Sequence, residues 1–232
     1  MSLHLQLLGD FLRDFTGFDN VKSILIKACG VSFSEILPIS ENTDAVLVSP
    51  DHHLPQEAVT SIAESHLPVT ASVDIIDRLK NSRTDPGDPF YIPWFCYGYE
   101  PSLMYIYNKI HHSDETLKRI HYSEGGIEIE QAIYLRFLSG NKADHLPLST
   151  GDGLKGMVWI FEFQDGEYRI YNCGKNGYRL YKKTADSEIL IPLPEGSGIL
   201  YQLMDICRVL NQEKEKLLYS EIDCQEYYHE NQ

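Results

Sequence analysis

The sequence predicts an α+β fold, in which N-terminal helices and a small α/β unit precede a mainly antiparallel sheet closed by a C-terminal helix. Three observations lead to this prediction. Strand-like and helix-like segments alternate up to residue 80, short strands joined by turns dominate after residue 150, and an apolar stripe at helical spacing follows residue 198.

Apolar residues at helical spacing predict two helices at the start of the chain. The first covers residues 3–15, where Leu5, Leu8 and Phe11 share a face, and the second covers residues 20–29. The elements predicted next are strands over 33–39 and 45–48, a helix over 55–65, a strand over 68–73 and a helix over 74–80. This alternation indicates a small α/β unit with parallel pairing.

A polar segment follows the α/β unit. Residues 81–89 contain Pro86, Gly87 and Pro89 and show no apolar periodicity, which predicts a loop or linker. The domain organisation predicted from this break is an N-terminal part at 1–80, the linker at 81–89, a second part at 90–220 and an acidic tail at 221–232.

The segment from residue 89 to residue 107 is the most aromatic part of the chain. Prolines interrupt its first half, and a helix with Ser102 as its N-cap is expected to follow. Two interpretations stay open, because clustered aromatic residues either form a core or present a binding surface. The partner- or ligand-binding residues of the second interpretation are Tyr91, Trp94, Tyr97, Tyr99 and Tyr105.

The second half of the chain predicts an antiparallel meander. Residues 127–137 favour a strand, with a helix as the alternative, and Asp165-Gly166 is a hairpin turn between strands at 156–163 and 167–173. The remaining predicted elements are a turn at 174–177, strands at 178–182 and 188–193, and a helix from 199 to about 218.

Composition excludes several classes of partner. The net charge is −14 and no Lys/Arg cluster occurs, which argues against binding to nucleic acid or to an anionic membrane. No apolar run approaches the ~18 residues that a membrane helix needs, and the N-terminus lacks the basic region of a signal peptide. Five scattered cysteines, without a CxxC pair, indicate reduced thiols in a soluble cytoplasmic protein.

Few sequence motifs indicate a catalytic or ligand-binding function. Residues Gly151–Gly156 match G-x-G-x-x-G, but a strand rather than a helix is expected after them, so this match does not predict a nucleotide site. Cys96 lies among aromatic residues and is interpreted as a buried thiol. No catalytic residue and no cofactor are predicted.

Asp51, His52 and His53 follow the strand at 45–48, at the edge where open α/β sheets bind ligands. They are weak metal-ligand candidates, since adjacent residues rarely point in the same direction, and a solvated loop is the alternative. No metal site is therefore predicted.

Two functional hypotheses follow. The first is an acidic, non-enzymatic protein-binding module, such as an inhibitor or immunity-type protein that captures a basic partner. The second is an enzyme or small-ligand-binding protein whose pocket is walled by the aromatic residues, with Asp51, His52 and His53 as polar groups. The first is preferred from the sequence, because no catalytic constellation is recognisable.

Overall fold

The computed structural model describes residues 2–15, 17–35, 39–50, 52–83, 90–96, 98–123, 148–151, 157–172 and 178–219. The chain divides into two compact units: Met1–Phe95 with Gln202–Glu230 and Gln232, and Cys96–Tyr201 with Asn231. Residues 84–89 of the expected linker and the acidic tail at 221–232 lie outside the described residues. The division at 81–89 stays a prediction.

The first unit contains a five-stranded parallel sheet in the order β2-β1-β3-β4-β5. Its elements are β1 (His4–Leu8), α1 (Phe11–Asp14), α2 (Phe18–Cys29), β2 (Ser32–Ser34), β3 (Ala45–Val48), α3 (Gln56–Glu64), β4 (Val69–Ala71), α4 (Val73–Ser82) and β5 (Tyr91–Pro93). The predicted alternation of strands and helices with parallel pairing is confirmed.

The prediction of a helix over residues 3–15 is wrong. Its first half is β1, a central strand that pairs with β2 on one side and β3 on the other. Both faces of β1 are covered, so Leu5 and Leu7 are buried, and even Gln6 is fully buried, with its side-chain oxygen accepting from the Thr43 hydroxyl at 3.2 Å. Leu3, Leu5 and Leu7 alternate with polar residues as in a strand, but Leu5, Leu8 and Phe11 also match helical spacing, so the local pattern is compatible with both elements.

The helices α3 and α4 cover one face of the parallel sheet. They bury Val59, Ile62, Ile76 and Leu79 against a cluster that includes Val48. At about 25 cal/mol per Å² of apolar surface removed from water, such side chains are the main source of the unit's stability. The strand expected over residues 33–39 is shorter, because β2 ends at Ser34 and residues 36–38 lie outside the described residues.

The second unit contains a six-stranded sheet in the order β11-β10-β9-β8-β6-β7. Its elements are α5 (Pro101–His112), β6 (Arg119–Ser123), β7 (Leu148–Gly151), β8 (Met157–Phe163), β9 (Gly166–Asn172), β10 (Tyr178–Lys183) and β11 (Glu188–Leu190). The pairings are antiparallel except that of β6 with β7, which confirms the predicted meander. The predicted strand at 127–137 and turn at 174–177 lie outside the described residues.

Two predicted helix ends differ from the structure. The C-terminal helix α6 (Gly198–Leu210) stops eight residues earlier than 218, because Gln212 adopts a φ of +60° and its N–H bonds to the Val209 carbonyl at 3.0 Å. Glycine usually occupies the positive-φ position that ends a helix, and here Gln212 occupies it. At the start of α5, Glu100 is the N-cap and Pro101 the first helical residue, so Ser102 lies inside the helix.

The structure is therefore a mixed α/β fold with one parallel and one mainly antiparallel sheet. Among the described residues, no helix is long and apolar enough to cross a membrane.

Candidate functional site

The strand order of the parallel sheet reverses between β1 and β3. After β1 the chain forms β2 on one side, and it then returns to the other side of β1 to form β3. In open sheets of this kind, ligands bind outside the carboxyl ends of the strands, at the point where the order reverses. The segments that follow β1 and β3 therefore form the candidate site, which we call the switch-point edge (residues 9–14 and 49–53).

Gly9 makes the turn after β1. Its φ of +105° lies in a region that residues with side chains rarely adopt. A Cβ atom at this position would lie 2.7 Å from the Cβ of Ser49 and 2.8 Å from the Cβ of His52. The turn after β1 and the loop after β3 thus touch, and glycine is the residue that permits this approach.

Hydrogen bonds join the two segments of the switch-point edge. The Ser49 N–H donates to the Leu8 carbonyl at 2.8 Å, and the His52 N–H donates to the Ser49 carbonyl at 3.0 Å. The Ser49 hydroxyl donates to the carboxylate of Asp14, whose side chain is 4% exposed. That carboxylate also pairs with Nε of Arg13 at 2.9 Å. Ser49 and Arg13 both bind the Asp14 carboxylate, and this links the turn after β1 to the loop after β3.

Trp94 closes the site on the side of β5. Its indole Nε1–H donates to the Val48 carbonyl at 2.6 Å, at the carboxyl end of β3. Its ring centroid lies 5.4 Å from that of Phe15 and 6.0 Å from that of Phe11. Aromatic rings at these separations attract each other. They form an aromatic wall (Phe11, Phe15, Trp94) beside the switch-point edge.

Gln202 fixes the backbone on both sides of Trp94. Its amide nitrogen donates to the Pro93 carbonyl at 2.9 Å, and its amide oxygen accepts from the Phe95 N–H at 3.0 Å. Gln202 is 1% exposed, so these bonds satisfy backbone groups that water does not reach. A residue of α6 therefore sets the position of the aromatic wall.

The groups at this edge allow acid–base chemistry and stacking. His52 is half-buried, and its imidazole can donate or accept a hydrogen bond. Asp10 and Asp14 place two carboxylates on the turn after β1, whereas the Ser49 hydroxyl is committed to Asp14. A ligand at this edge would meet the half-buried imidazole of His52, the exposed Asp10 and the half-buried ring of Phe15.

The structure places the predicted aromatic residues in both units. Tyr91 and Trp94 are 2% and 7% exposed and belong to the first unit, whereas Tyr99, at 4%, belongs to the second. Tyr105 lies on α5, where its ring centroid is 6.0 Å from that of Tyr168. Burial favours the core interpretation of this stretch, and a binding role for these residues stays a prediction. Tyr97 lies outside the described residues.

The weak metal candidates are only partly described. Asp51 lies outside the described residues, His52 is half-buried and His53 is exposed. Within the part of the chain that the structure describes, no three His, Cys, Asp or Glu side chains converge as metal ligands.

Sequence reasoning missed most of the switch-point edge. Gly9, Asp14 and Ser49 acquire their meaning only when β1 is a strand, because the edge rule then applies to the residues that follow it. The signal that could have found them was the alternation of Leu3, Leu5 and Leu7 with His4 and Gln6 before Gly9, which is typical of a strand followed by a turn.

A second polar cluster lies in the second unit. Asp165, in the turn between β8 and β9, accepts from the Tyr168 hydroxyl at 2.9 Å, from Lys109 at 3.2 Å and from Lys182. Partial burial raises the pKa of Asp165, but the bonds from Lys182, Tyr168 and Lys109 outweigh it, so the pKa lies below its ordinary value. Lys109 also lies 4.9 Å from the Tyr168 ring centroid. The mutual pairing of these groups indicates a structural role, which is to fasten α5 and β10 to the hairpin.

Comparison with known proteins gives matches to solved structures. No protein-family model and no curated protein matches the sequence. An oxidoreductase from Sinorhizobium meliloti is similar over 99% of this chain and 95% of its own, with 11% identity and a TM-score of 0.62. KijD10, a 3-ketoreductase from Actinomadura kijaniata in complex with TDP-benzene and NADP, is similar in its open conformation over 98% and 95%, with 10% identity and a TM-score of 0.60.

These likenesses show the fold. It is a Rossmann-type α/β fold, which the solved structures of these oxidoreductases share. At about one-tenth identity, they carry no residue-by-residue correspondence.

The preferred functional hypothesis from the sequence is wrong. Solved structures of oxidoreductases share this fold over nearly their whole length, which contradicts a non-enzymatic inhibitor or protein-binding module. Acidity and abundant tyrosine are properties of many proteins, and they did not discriminate between these classes. A basic protein partner, and the exclusion of nucleic acid and membrane, stay predictions.

Proposed function

We propose that the protein is a small-ligand-binding enzyme on a Rossmann-type oxidoreductase fold, with its ligand at the switch-point edge. One observation carries this proposal: the strand order reverses between β1 and β3, and the segments after these two strands meet at Gly9, Ser49 and His52. This is the place where sheets of this topology bind ligands. The similarity to oxidoreductases supports the enzyme class.

The roles of the residues follow from their positions. His52 exchanges a proton with the ligand, because it is the half-buried imidazole at the edge. The aromatic wall of Phe11, Phe15 and Trp94 provides the apolar side of the site. Gln202 acts as a positioning residue, because it binds the backbone on both sides of Trp94.

Affinity selection with mass spectrometry tests this proposal. The immobilised wild-type chain, His52→Ala and His53→Ala are incubated with the same small-molecule extract, and the retained molecules are compared. His53 is the matched control, since it is exposed and adjacent in the same loop. The proposal expects a molecule that wild type and His53→Ala retain and that His52→Ala loses about tenfold or more, as expected for a lost polar contact. Equal retention by all three proteins, or no retained molecule, would contradict it.

We also propose two finer assignments. The first unit is a doubly wound α/β unit, since its strands are parallel and helices connect β1 to β2, β3 to β4 and β4 to β5, whereas the second unit, with its largely antiparallel sheet, is α+β. The compartment is the cytoplasm, which agrees with the reduced thiols of Cys29 and Cys207. Cell fractionation of the native source tests the second assignment, and recovery in a secreted or membrane fraction contradicts it.

A further inference from the structure

The turn after β1 is where Rossmann-type folds bind the pyrophosphate of a dinucleotide. Their fingerprint is G-x-G-x-x-G, in which the first glycine makes the turn, the second lets the pyrophosphate approach the backbone and the third allows close helix packing. In this chain the three positions are Gly9, Phe11 and Asp14. Only the first of them carries the residue that the fingerprint requires.

The space above Gly9 is occupied by the protein itself. A Cβ atom at Gly9 would be 2.7 Å from the Ser49 Cβ and 2.9 Å from the His52 Cγ. In a dinucleotide site, glycine leaves room for the ligand. Here the glycine leaves room for the loop after β3.

Phe11 blocks the approach to the backbone. It is 4% exposed, and its ring centroid lies 4.8 Å from that of Phe18 and 6.0 Å from that of Trp94. A buried ring that packs against Phe15, Phe18 and Trp94 does not move aside without loss of core packing. The second glycine position is thus filled by a core side chain.

The charge of the turn is also unfavourable for phosphate. The carboxylate of Asp10 accepts from the Arg13 N–H at 3.1 Å, so the protein's own anion caps α1. Asp14 adds a second carboxylate, and the nearby guanidinium of Arg13 pairs with it. With only four residues, α1 is also too short to offer much of a helix dipole. A diphosphate would be repelled by two carboxylates, and the Arg13 guanidinium that could bind it is already paired with Asp14.

One residue of the dinucleotide pattern does fit. Glu35 follows β2, where an acidic residue binds the ribose hydroxyls in such folds. Its carboxylate pairs with Lys22 at 2.8 Å and its side chain is 65% exposed. A carboxylate at this position can accept hydrogen bonds from hydroxyl groups, but it offers no donor to a phosphate.

From these contacts we infer that the turn after β1 does not hold a dinucleotide pyrophosphate, and that the ligand of the switch-point edge is a molecule without phosphate groups. This inference rests on the proposed function, because it names the chemical class of the ligand at that edge. It concerns only the switch-point edge and assigns no reaction step.

Pyrophosphate and NADPH are the probes that test the inference. Each is titrated against the full chain by isothermal calorimetry at constant ionic strength, with an established dinucleotide-binding Rossmann protein as positive control. We expect no saturable pyrophosphate binding with a Kd below about 1 mM, and any NADPH binding should be unaffected by excess pyrophosphate. Saturable one-to-one pyrophosphate binding below that value, or displacement of NADPH by pyrophosphate, would overturn the inference.

The two tests fail in different ways. Binding of pyrophosphate at the edge overturns the inference and leaves the proposed ligand site intact. Failure of the His52→Ala comparison in affinity selection removes the proposed site, whatever the pyrophosphate titration gives. Retention of a phosphate-bearing molecule that depends on His52 would support the site and overturn its phosphate-free selectivity.

Discussion

The carboxylate of Glu100 accepts a hydrogen bond from the backbone N–H of Gly198 at 3.0 Å. The side chain thereby joins the start of α5 to the first residue of α6. Glu100 is 4% exposed, and burial raises the pKa of its carboxyl to about 7, against the opposing effect of the Gly198 N–H. A Cβ atom at Gly198 would overlap the Cys96 carbonyl oxygen, so the backbone packs closely around this carboxyl.

This arrangement predicts that stability falls as pH rises. Between the ordinary value of 4.5 and about 7, the folded chain holds the Glu100 proton more tightly than the unfolded chain does. The stabilisation that the protonated Glu100 carboxyl provides is complete below pH 4.5 and is lost as the pH rises through about 7. A shift of this size corresponds to at most about 3 kcal/mol.

Glu100→Gln should remove this dependence, because an amide is neutral and still offers an oxygen to Gly198. Urea unfolding at pH 5 and pH 8 measures the effect, and the variant should be the more stable protein at pH 8. Glu195→Gln is the control, since Glu195 is exposed. An unchanged difference between the two pH values in Glu100→Gln would refute the assignment.

Gly9→Ala should be more destabilising than Gly17→Ala. Both glycines have positive φ, +105° and +82°, but a Cβ at Gly17 meets nothing within 4 Å, whereas one at Gly9 meets Ser49 at 2.7 Å. Gly17→Ala therefore costs backbone strain alone, about 1 kcal/mol, and Gly9→Ala adds a steric clash, for a total of about 3 kcal/mol. Urea unfolding of both variants checks this, and equal losses would show that the loop after β3 does not pack on Gly9.

Gln202→Met should lower the free energy of unfolding by about 2–5 kcal/mol, because it leaves a buried N–H and a buried carbonyl without partners. These groups are the Phe95 N–H and the Pro93 carbonyl. Leu203→Met, at a fully buried position of the same helix, is the control and should cost less than about 1.5 kcal/mol. Similar losses in the two variants would mean that the amide contributes packing only.

Oxidation should link Cys29 to Cys207, since their thiols are in hydrogen-bonding contact between the end of α2 and α6. Hydrogen peroxide would convert the two thiols into a disulfide and two waters. The reaction should be slow at neutral pH, because burial raises the pKa of both thiols, that of Cys207 to about 12. Peptide mapping detects the linked peptides, Cys29→Ser is the control, and sulfonic acid at Cys29 without the linked peptide would refute the pairing.

The sequence predicted the alternating strands and helices after residue 45 better than the central strand β1. α3 and α4 were expected because their polarity changes with the period of a helix, and β3 was expected because its short apolar run lies between polar turn residues. β1 was missed because Leu5, Leu8 and Phe11 also match helical spacing, and because the partner of the buried Gln6 side chain, Thr43, lies 37 residues away. Such a partner cannot be read from local pattern.

Of the residues at the switch-point edge, the sequence pointed to His52 but not to Asp14 or Ser49. His52 was noted from its position after β3, and the structure places it at the reversal of strand order. Asp14 and Ser49 were missed because their contact joins residues 35 positions apart. Trp94 was selected for its aromatic neighbours in sequence, whereas in the structure its ring lies near Phe11 and Phe15 from the other end of the unit.

The hydrogen bond of Gln202 to Phe95 spans 107 residues, and this has a consequence for synthesis in the cell. All five strands of the parallel sheet leave the ribosome before the helix that satisfies the backbone beside Trp94 has been made. At about 5–20 residues per second, the nascent unit waits roughly 5–20 s with this edge incomplete. The aromatic wall is thus one of the last parts of the first unit to acquire its final form, and during translation it is the part most in need of protection from aggregation.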